Sequence, residues 1–261
     1  MSSAAACDLT GQRAWVTGGT AGVGLAIARI LLVAGAQVVV SGRDAQRGRW
    51  ALQQLGSERA ELVLGDSSDP AQARSMVAEL QSRQPQLDIL VASGGAADEK
   101  PGLFHEVDDA HFEQVYRHQF LNRVHPVRAA LPLLRENGGC VLLVGTDAGR
   151  HATVGEALHG GLGAATIMLT KTLAREFSRW GIRVNGLALT LTAGTQAFET
   201  AMTRGDRLTD LYKKAMARFP QGRPPHADEV AQAALFLVSP QSSQISGQTL
   251  SVNGGLSFGG W

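Results

Sequence analysis

One segment of this chain can do chemistry with its backbone alone. The run Thr17-Gly18-Gly19-Thr20-Ala21-Gly22-Val23-Gly24 follows apolar Ala14-Trp15-Val16 and precedes a helical pattern with apolar positions Leu25, Ala28, Leu31 and Leu32. Glycines at 18, 22 and 24 permit a tight turn and let main-chain N–H groups approach a pyrophosphate, which the positive end of the next helix also attracts. The same loop serves elsewhere as a plain strand–helix connection, so spacing alone leaves both readings open. The rest of the reactive inventory is thin. Only two Tyr (Tyr116, Tyr212) and four Lys (Lys100, Lys171, Lys213, Lys214) occur. His105, His111, His118 and His125 lack ligand-like spacing, and no metal site is expected.

The elements that must position this loop alternate regularly. Strand-length apolar runs at Gln37–Ser41, Ala60–Leu64, Asp88–Ala92, Cys140–Val144, Arg183–Ala188 and Thr249–Val252 alternate with helical segments. The helices are expected at Ala45–Leu55, Ala71–Arg83 (with Pro70 as its start), His111–Arg135, Glu156–Ser178, Thr195–Phe219 and Asp228–Leu237. His111–Arg135 contains Pro126 and Pro132 and reads as one long helix or a broken pair. Such alternation argues for an α/β fold: a single doubly wound parallel sheet, Rossmann-type, with helices on both faces and one domain over 1–261.

Hydrophobic content of 44% with 18% charged residues excludes disorder. A net charge of +1 gives no electrostatic reason to expect nucleic acid or an anionic membrane. No apolar run approaches the roughly 20 residues of a membrane span, and the first residues lack a signal-peptide pattern. Cys7 and Cys140 are expected to stay unpaired in a cytoplasmic protein.

The spacing Thr17-Gly18-x-x-x-Gly22-x-Gly24 resembles the short-chain dehydrogenase/reductase (SDR) family, in its form of about 250 residues. Asp66 after the third strand matches as well, as do Leu90-Val91-Ala92-Ser93-Gly94-Gly95 and Gly181-Ile182-Arg183-Val184-Asn185. Gly247-Gln248-Thr249-Leu250-Ser251-Val252-Asn253-Gly254-Gly255 closes a match that covers nearly the whole chain. The resemblance implies that Gly18, Gly22 and Gly24, with Thr20 and Val23 between them, line the pyrophosphate. It implies that Asp66, with Ser67 beside it, accepts from the adenine amino group, and that Gly94 and Gly95 let the backbone pass the adenosine ribose. The second strand ends Val40-Ser41-Gly42-Arg43, without the carboxylate that takes the two ribose hydroxyls of NAD. Arg43 stands where a planar fork suits a 2′-phosphate, so NADP is favoured over NAD, unless Arg43 is only a solvated loop residue.

At the chemical end the pattern breaks. The family relies on Ser, Tyr and Lys, with an Asn that holds a relay water. Anchored on Gly139–Val144 and on Leu169-Thr170-Lys171-Thr172-Leu173-Ala174-Arg175-Glu176, the four positions fall on Thr146, His159, Gly163 and Gln119. No slipped register restores the set. Tyr116 and Tyr212 lie more than 40 residues from His159, and Lys171 lies 12 residues beyond it, about 18 Å along a helix. The Pro-Gly pair that usually follows the sixth strand reads Leu189-Thr190. An imidazole titrates near neutrality, so His159 suits acid–base work. Thr146 keeps a hydroxyl, and Asp147 and Glu156 are expected to flank the cleft and orient His159. The alternative is a pocket that drifted after losing its chemistry. His151 reads as a loop residue.

Gly160, Gly161 and Gly163 in one helix each cost roughly 1 kcal/mol relative to Ala. Gly163 then either leaves a void beside the nicotinamide ribose or lets the helix pack closely. The resemblance further implies a homotetramer or homodimer through His111–Arg135 and Glu156–Ser178, with Ser257–Trp261 suited to a subunit contact. Two function classes follow. One is an atypical SDR enzyme acting on a small carbonyl or hydroxyl compound, by oxidoreduction or by a non-redox dehydratase, isomerase or lyase step. The other is a non-catalytic dinucleotide-binding or partner subunit.

Overall fold

The computed structural model describes residues 7–95, 102–203, 205 and 207–258. Seven parallel strands form one sheet: β1 (Arg13–Thr17), β2 (Gln37–Gly42), β3 (Ala60–Leu64), β4 (Ile89–Ala92), β5 (Gly139–Thr146), β6 (Ile182–Leu189) and β7 (Thr249–Val252). Their order is β3-β2-β1-β4-β5-β6-β7. The order reverses between β1 and β4, and the crevice that binds ligands in such sheets lies at the strand carboxyl ends there. β1 and β4 are buried along their whole length, as unbroken apolar runs require when both faces are covered.

One face is closed by α1 (Gly22–Val33) and α9 (Ala227–Val238), through Ile27, Leu31, Val230 and Leu237. The other is closed by α3 (Pro70–Arg83), α5 (Asn122–Asn137) and the end of α6 (Ala157–Phe177), through Met76, Leu80, Leu134 and Phe177. α2 (Ala45–Leu55) sits beside β2 and β3. Asp44 caps α2, Asp69 caps α3, and His226 with Glu229 forms a capping box on α9. α1 alone of these four starts with no side-chain cap.

Two expected helices are each divided. α4 (Asp109–Tyr116) runs into α5 through a wide π turn, Arg117–Leu121. The widening lies one turn ahead of Pro126, whose ring crowds the carbonyl four residues back, at Asn122. The polar stretch after residue 195 splits into α7 (Gln196–Thr203) and α8 (Arg207–Met216). Gly205 separates them with φ +72°, and Thr209 Oγ1 ties the junction, accepting from Gly205 N and donating to Ala201 O. No helix among the described residues is long and apolar enough to cross a membrane.

Candidate functional site

The glycine loop meets three different demands. Gly18 takes φ +65°, and a β-carbon there would overlap the Ser93 carbonyl at the end of β4. A β-carbon on Gly24 would overlap the Gly18 carbonyl, so this glycine lets α1 start against the loop. Gly22, at φ +52°, has only the Thr195 methyl nearby, 3.5 Å from such a carbon, and is the glycine left open toward the cleft. With no side-chain cap on α1, the first N–H groups of the helix remain for an anion. Thr20 is buried with its side chain against Gly42, and Val23 packs on the core. These two therefore offer the loop their backbone rather than their side chains.

Three elements converge beyond the exits of β2 and β3. Arg43, half exposed after β2, lies 4.0 Å from Asp66 Oδ2 after β3. Its Nη1 is 3.1 Å from Nε2 of His118 in the π turn. Asp66 Oδ1 accepts from Ser68 N at 2.8 Å and Ser68 Oγ at 2.7 Å. The serine bonded to Asp66 is thus Ser68, two residues on, rather than the neighbouring Ser67. Partial burial raises the Asp66 pKa, but the Ser68 hydrogen bonds and the charges of Arg43 and His118 outweigh it and hold the group below its ordinary value. The nearest carboxylate to the end of β2, Asp44, is turned onto Gln46 N and Arg47 N of α2. These features fit a dinucleotide: an uncapped helix start, a glycine cradle and a cation after β2.

The chemical end is assembled from β5, α6 and the π turn. Thr146 Oγ1 accepts from Ala148 N at 3.2 Å, leaving its own proton to be donated elsewhere. His159 opens α6, its side chain 14% exposed, with Nδ1 3.6 Å from Glu156 Oε2. The ring lines a small pocket with Phe104, Val107, His111 and Leu158. A β-carbon on Gly95 would lie 3.4 Å from Gln119 Nε2, so Gln119 reaches the cleft.

Asp147 does not join His159. It is buried and accepts from Ser251 Oγ at 2.8 Å, Asn253 Nδ2 at 2.8 Å and Ser257 Oγ, and its nearest imidazole is His151, 3.9 Å away. It locks the segment after β7 to the end of β5. Ser257 is spent inward on that lock, Phe258 is exposed, and residues 259–261 of the expected subunit contact lie outside the described residues.

Gly163 leaves no void. A β-carbon there would lie 2.7 Å from Thr146 Cγ2 and 3.0 Å from Gly149 N, and one on Gly160 would lie 2.9 Å from Ala148 O. The threonine methyl fills the space that a longer side chain at 163 would enter first. Tyr116 stacks on Phe120 with ring centroids 5.8 Å apart, Lys171 is exposed on α6, and Tyr212 belongs to α8.

Two buried residues escaped the sequence reading. Arg123 Nε donates to Val144 O at 2.6 Å, while Nη1 donates to Gln119 O at 2.6 Å, Asn122 Oδ1 at 2.6 Å and His118 O at 3.3 Å. It clasps the π turn to the end of β5. Asn122 reaches back to Gly94, where a β-carbon would lie 2.8 Å from its Nδ2. A signal existed: both sit at helical spacing ahead of buried Pro126, Val127, Ala130, Leu133 and Leu134. Among the described residues, no cluster of His, Cys, Asp and Glu could hold a metal ion.

A nucleotide crevice of this kind at the reversal of a parallel sheet defines a dinucleotide-binding class of protein. A family model described as enoyl-(acyl carrier protein) reductase matches residues 18–257. The chain belongs to the short-chain dehydrogenase/reductase family, and its relatives are oxidoreductases. It is 30% identical to the 3-oxoacyl-[acyl-carrier-protein] reductase FabG of Salmonella typhimurium, covering 94% of this chain and 97% of that one. It is 31% identical to the galactitol 2-dehydrogenase (L-tagatose-forming) of Cereibacter sphaeroides, covering 95% of each. A solved structure of a short chain dehydrogenase/reductase family protein superposes with a TM-score of 0.82 at 33% identity, covering 95% of this chain and 98% of the other.

Proposed function

We propose that the protein is an oxidoreductase that uses NADP(H) on a small carbonyl or hydroxyl compound, with Thr146 and His159 standing where the family has Ser and Tyr. The observation that carries this reading is His159: a mostly buried imidazole one helical turn ahead of the Gly163–Thr146 contact, with a carboxylate 3.6 Å from Nδ1. Gly18, Gly22, Gly24 and the open start of α1 would hold the pyrophosphate, and Arg43 the 2′-phosphate. A nicotinamide bound beyond them supplies the hydrogen and electron pair that turn a carbonyl into an alcohol, or takes them up in the reverse direction.

The chain's own residues account for the proton. The Thr146 hydroxyl donates to the substrate oxygen. His159 delivers a proton to that oxygen as negative charge grows, and recovers one from solvent. Glu156, 3.6 Å from Nδ1, would orient the imidazole. Gln119, beside Gly95, offers an amide for a relay water. Relatives that act on an acyl-carrier ketone and on a sugar alcohol support carbonyl–hydroxyl interconversion as the shared chemistry.

The test is NADPH oxidation against a panel of small ketones and aldehydes. Replacing His159 by Phe should lower kcat/KM by about a hundredfold or more; unchanged turnover in that variant would remove His159 from the mechanism. A second reading is favoured by Gly163, which brings no cation toward the ribose: a non-redox enzyme, or a subunit that binds the dinucleotide without turnover. Tight NADPH binding with no oxidation across the panel would select it. The apolar groove between α4 and α6, lined by Phe112, Tyr116, Leu158 and Leu162, supports assembly through these helices.

A further inference from the structure

We propose that His118 sets nucleotide specificity, forming with Arg43 a two-donor clasp for a ribose 2′-phosphate; this rests on the NADP(H) reading. His118 comes from the π turn, 75 residues from Arg43 in the chain, yet its Nε2 lies 3.1 Å from Arg43 Nη1. The charge balance shows why a second group is needed. Arg43 carries +1 and Asp66, 4.0 Å away, carries −1, so the pair is close to neutral. A phosphate monoester brings up to two negative charges. His118 is a group from a distant element that can add a positive one, in addition to Arg47 and Arg49 of α2, which act on Asp44. Facing Arg43, Nε2 accepts from the guanidinium. Facing a phosphate, the ring takes one proton from solvent and donates from the same nitrogen, while Arg43 turns its fork to the phosphate oxygens.

His118 is faced by Arg43 from the exit of β2, by Asp66 from the exit of β3, and by Arg123 of α5, which holds its carbonyl at 3.3 Å. Arg123 also holds the carbonyl of Gln119. One turn therefore carries the nucleotide-reading His118 and the cleft-facing Gln119 side by side.

The experiment is fluorescence titration of the full chain with NADPH and with NADH, near pH 6 and near pH 8, for the wild type, Arg43→Gln, His118→Gln and His118→Phe. A charge-assisted hydrogen bond lost to the phosphate predicts about a tenfold loss of NADPH affinity in both His118 variants, with NADH affinity moving less than about twofold. Because a phosphate monoester itself titrates at about pH 6, the mark of His118 is that the pH response of the NADPH preference should differ between the wild type and His118→Gln. NADPH binding that persists with the same preference and the same pH response in the His118 variants would overturn the inference while leaving the cofactor reading intact. A wild type that binds NADPH no better than NADH would overturn both.

Discussion

The two ends of the cleft are built to different tolerances. At the nucleotide end, backbone presses on backbone: Gly18 against the Ser93 carbonyl and Gly24 against the Gly18 carbonyl. At the chemical end backbone also meets backbone, Gly160 against the Ala148 carbonyl and Gly163 against Gly149 N, but the tightest neighbour of Gly163 is a side chain, the Thr146 methyl. A backbone contact admits almost no substitution, whereas a side-chain contact can be exchanged in matched pairs. This difference makes the phosphate loop the less tolerant of the two ends to substitution.

Gly18→Ala should be the most damaging change, because φ +65° and the Ser93 carbonyl oppose it together. A loss of about 3 kcal/mol or more, with loss of NADPH binding, is expected in urea unfolding and titration. A near-normal midpoint would mean that the loop is softer than the contrast requires. Arg123→Met follows. Removing the guanidinium leaves the carbonyls of Val144 and Gln119 without their donor, at about 2–3 kcal/mol. If the contrast holds, Arg123→Met should also blunt any activity that depends on Gln119.

Gly163→Ala should cost about 1–2 kcal/mol in spite of the better helix propensity of Ala. Thr146→Ser in the same chain should recover part of that, since the offending methyl is gone while Gly149 N still lies 3.0 Å away. A double-mutant cycle measures the coupling, and additive effects would show that the two side chains do not share the space. The smallest effect concerns acid. Because Asp66 is held below its ordinary pKa, the folded state favours its carboxylate. That stability is present above about pH 4 and disappears as pH falls through the folded value. Melting temperature should therefore fall more steeply below about pH 4 in the wild type than in Asp66→Asn.

Much of the architecture could be read from residue pattern. Apolar runs such as Ile89–Ala92 and Cys140–Val144 are buried on both faces, and only a helix-covered parallel sheet buries strands in this way. The glycine loop was equally plain, because its constraints lie within eight residues. The sites that stayed hidden join distant parts of the chain. His118 meets Arg43 only because the π turn folds over the exits of β2 and β3. Asp147 is expected to flank the cleft and orient His159, but Ser251, Asn253 and Ser257, more than 100 residues on, claim its oxygens. Helix breaks had the same cause: Pro126 marks a disturbance whose location, at 117–121, depends on tertiary room.

The fit of the Thr146 methyl against Gly163 also bears on how this sequence can change over time. A lysine arriving alone at 163 meets a methyl already in place. A serine arriving alone at 146 opens a gap with nothing to fill it. Each single step is expected to pass through a poorer protein, so the two positions should change together. The contact thus couples the two positions, and either residue is hard to change without the other.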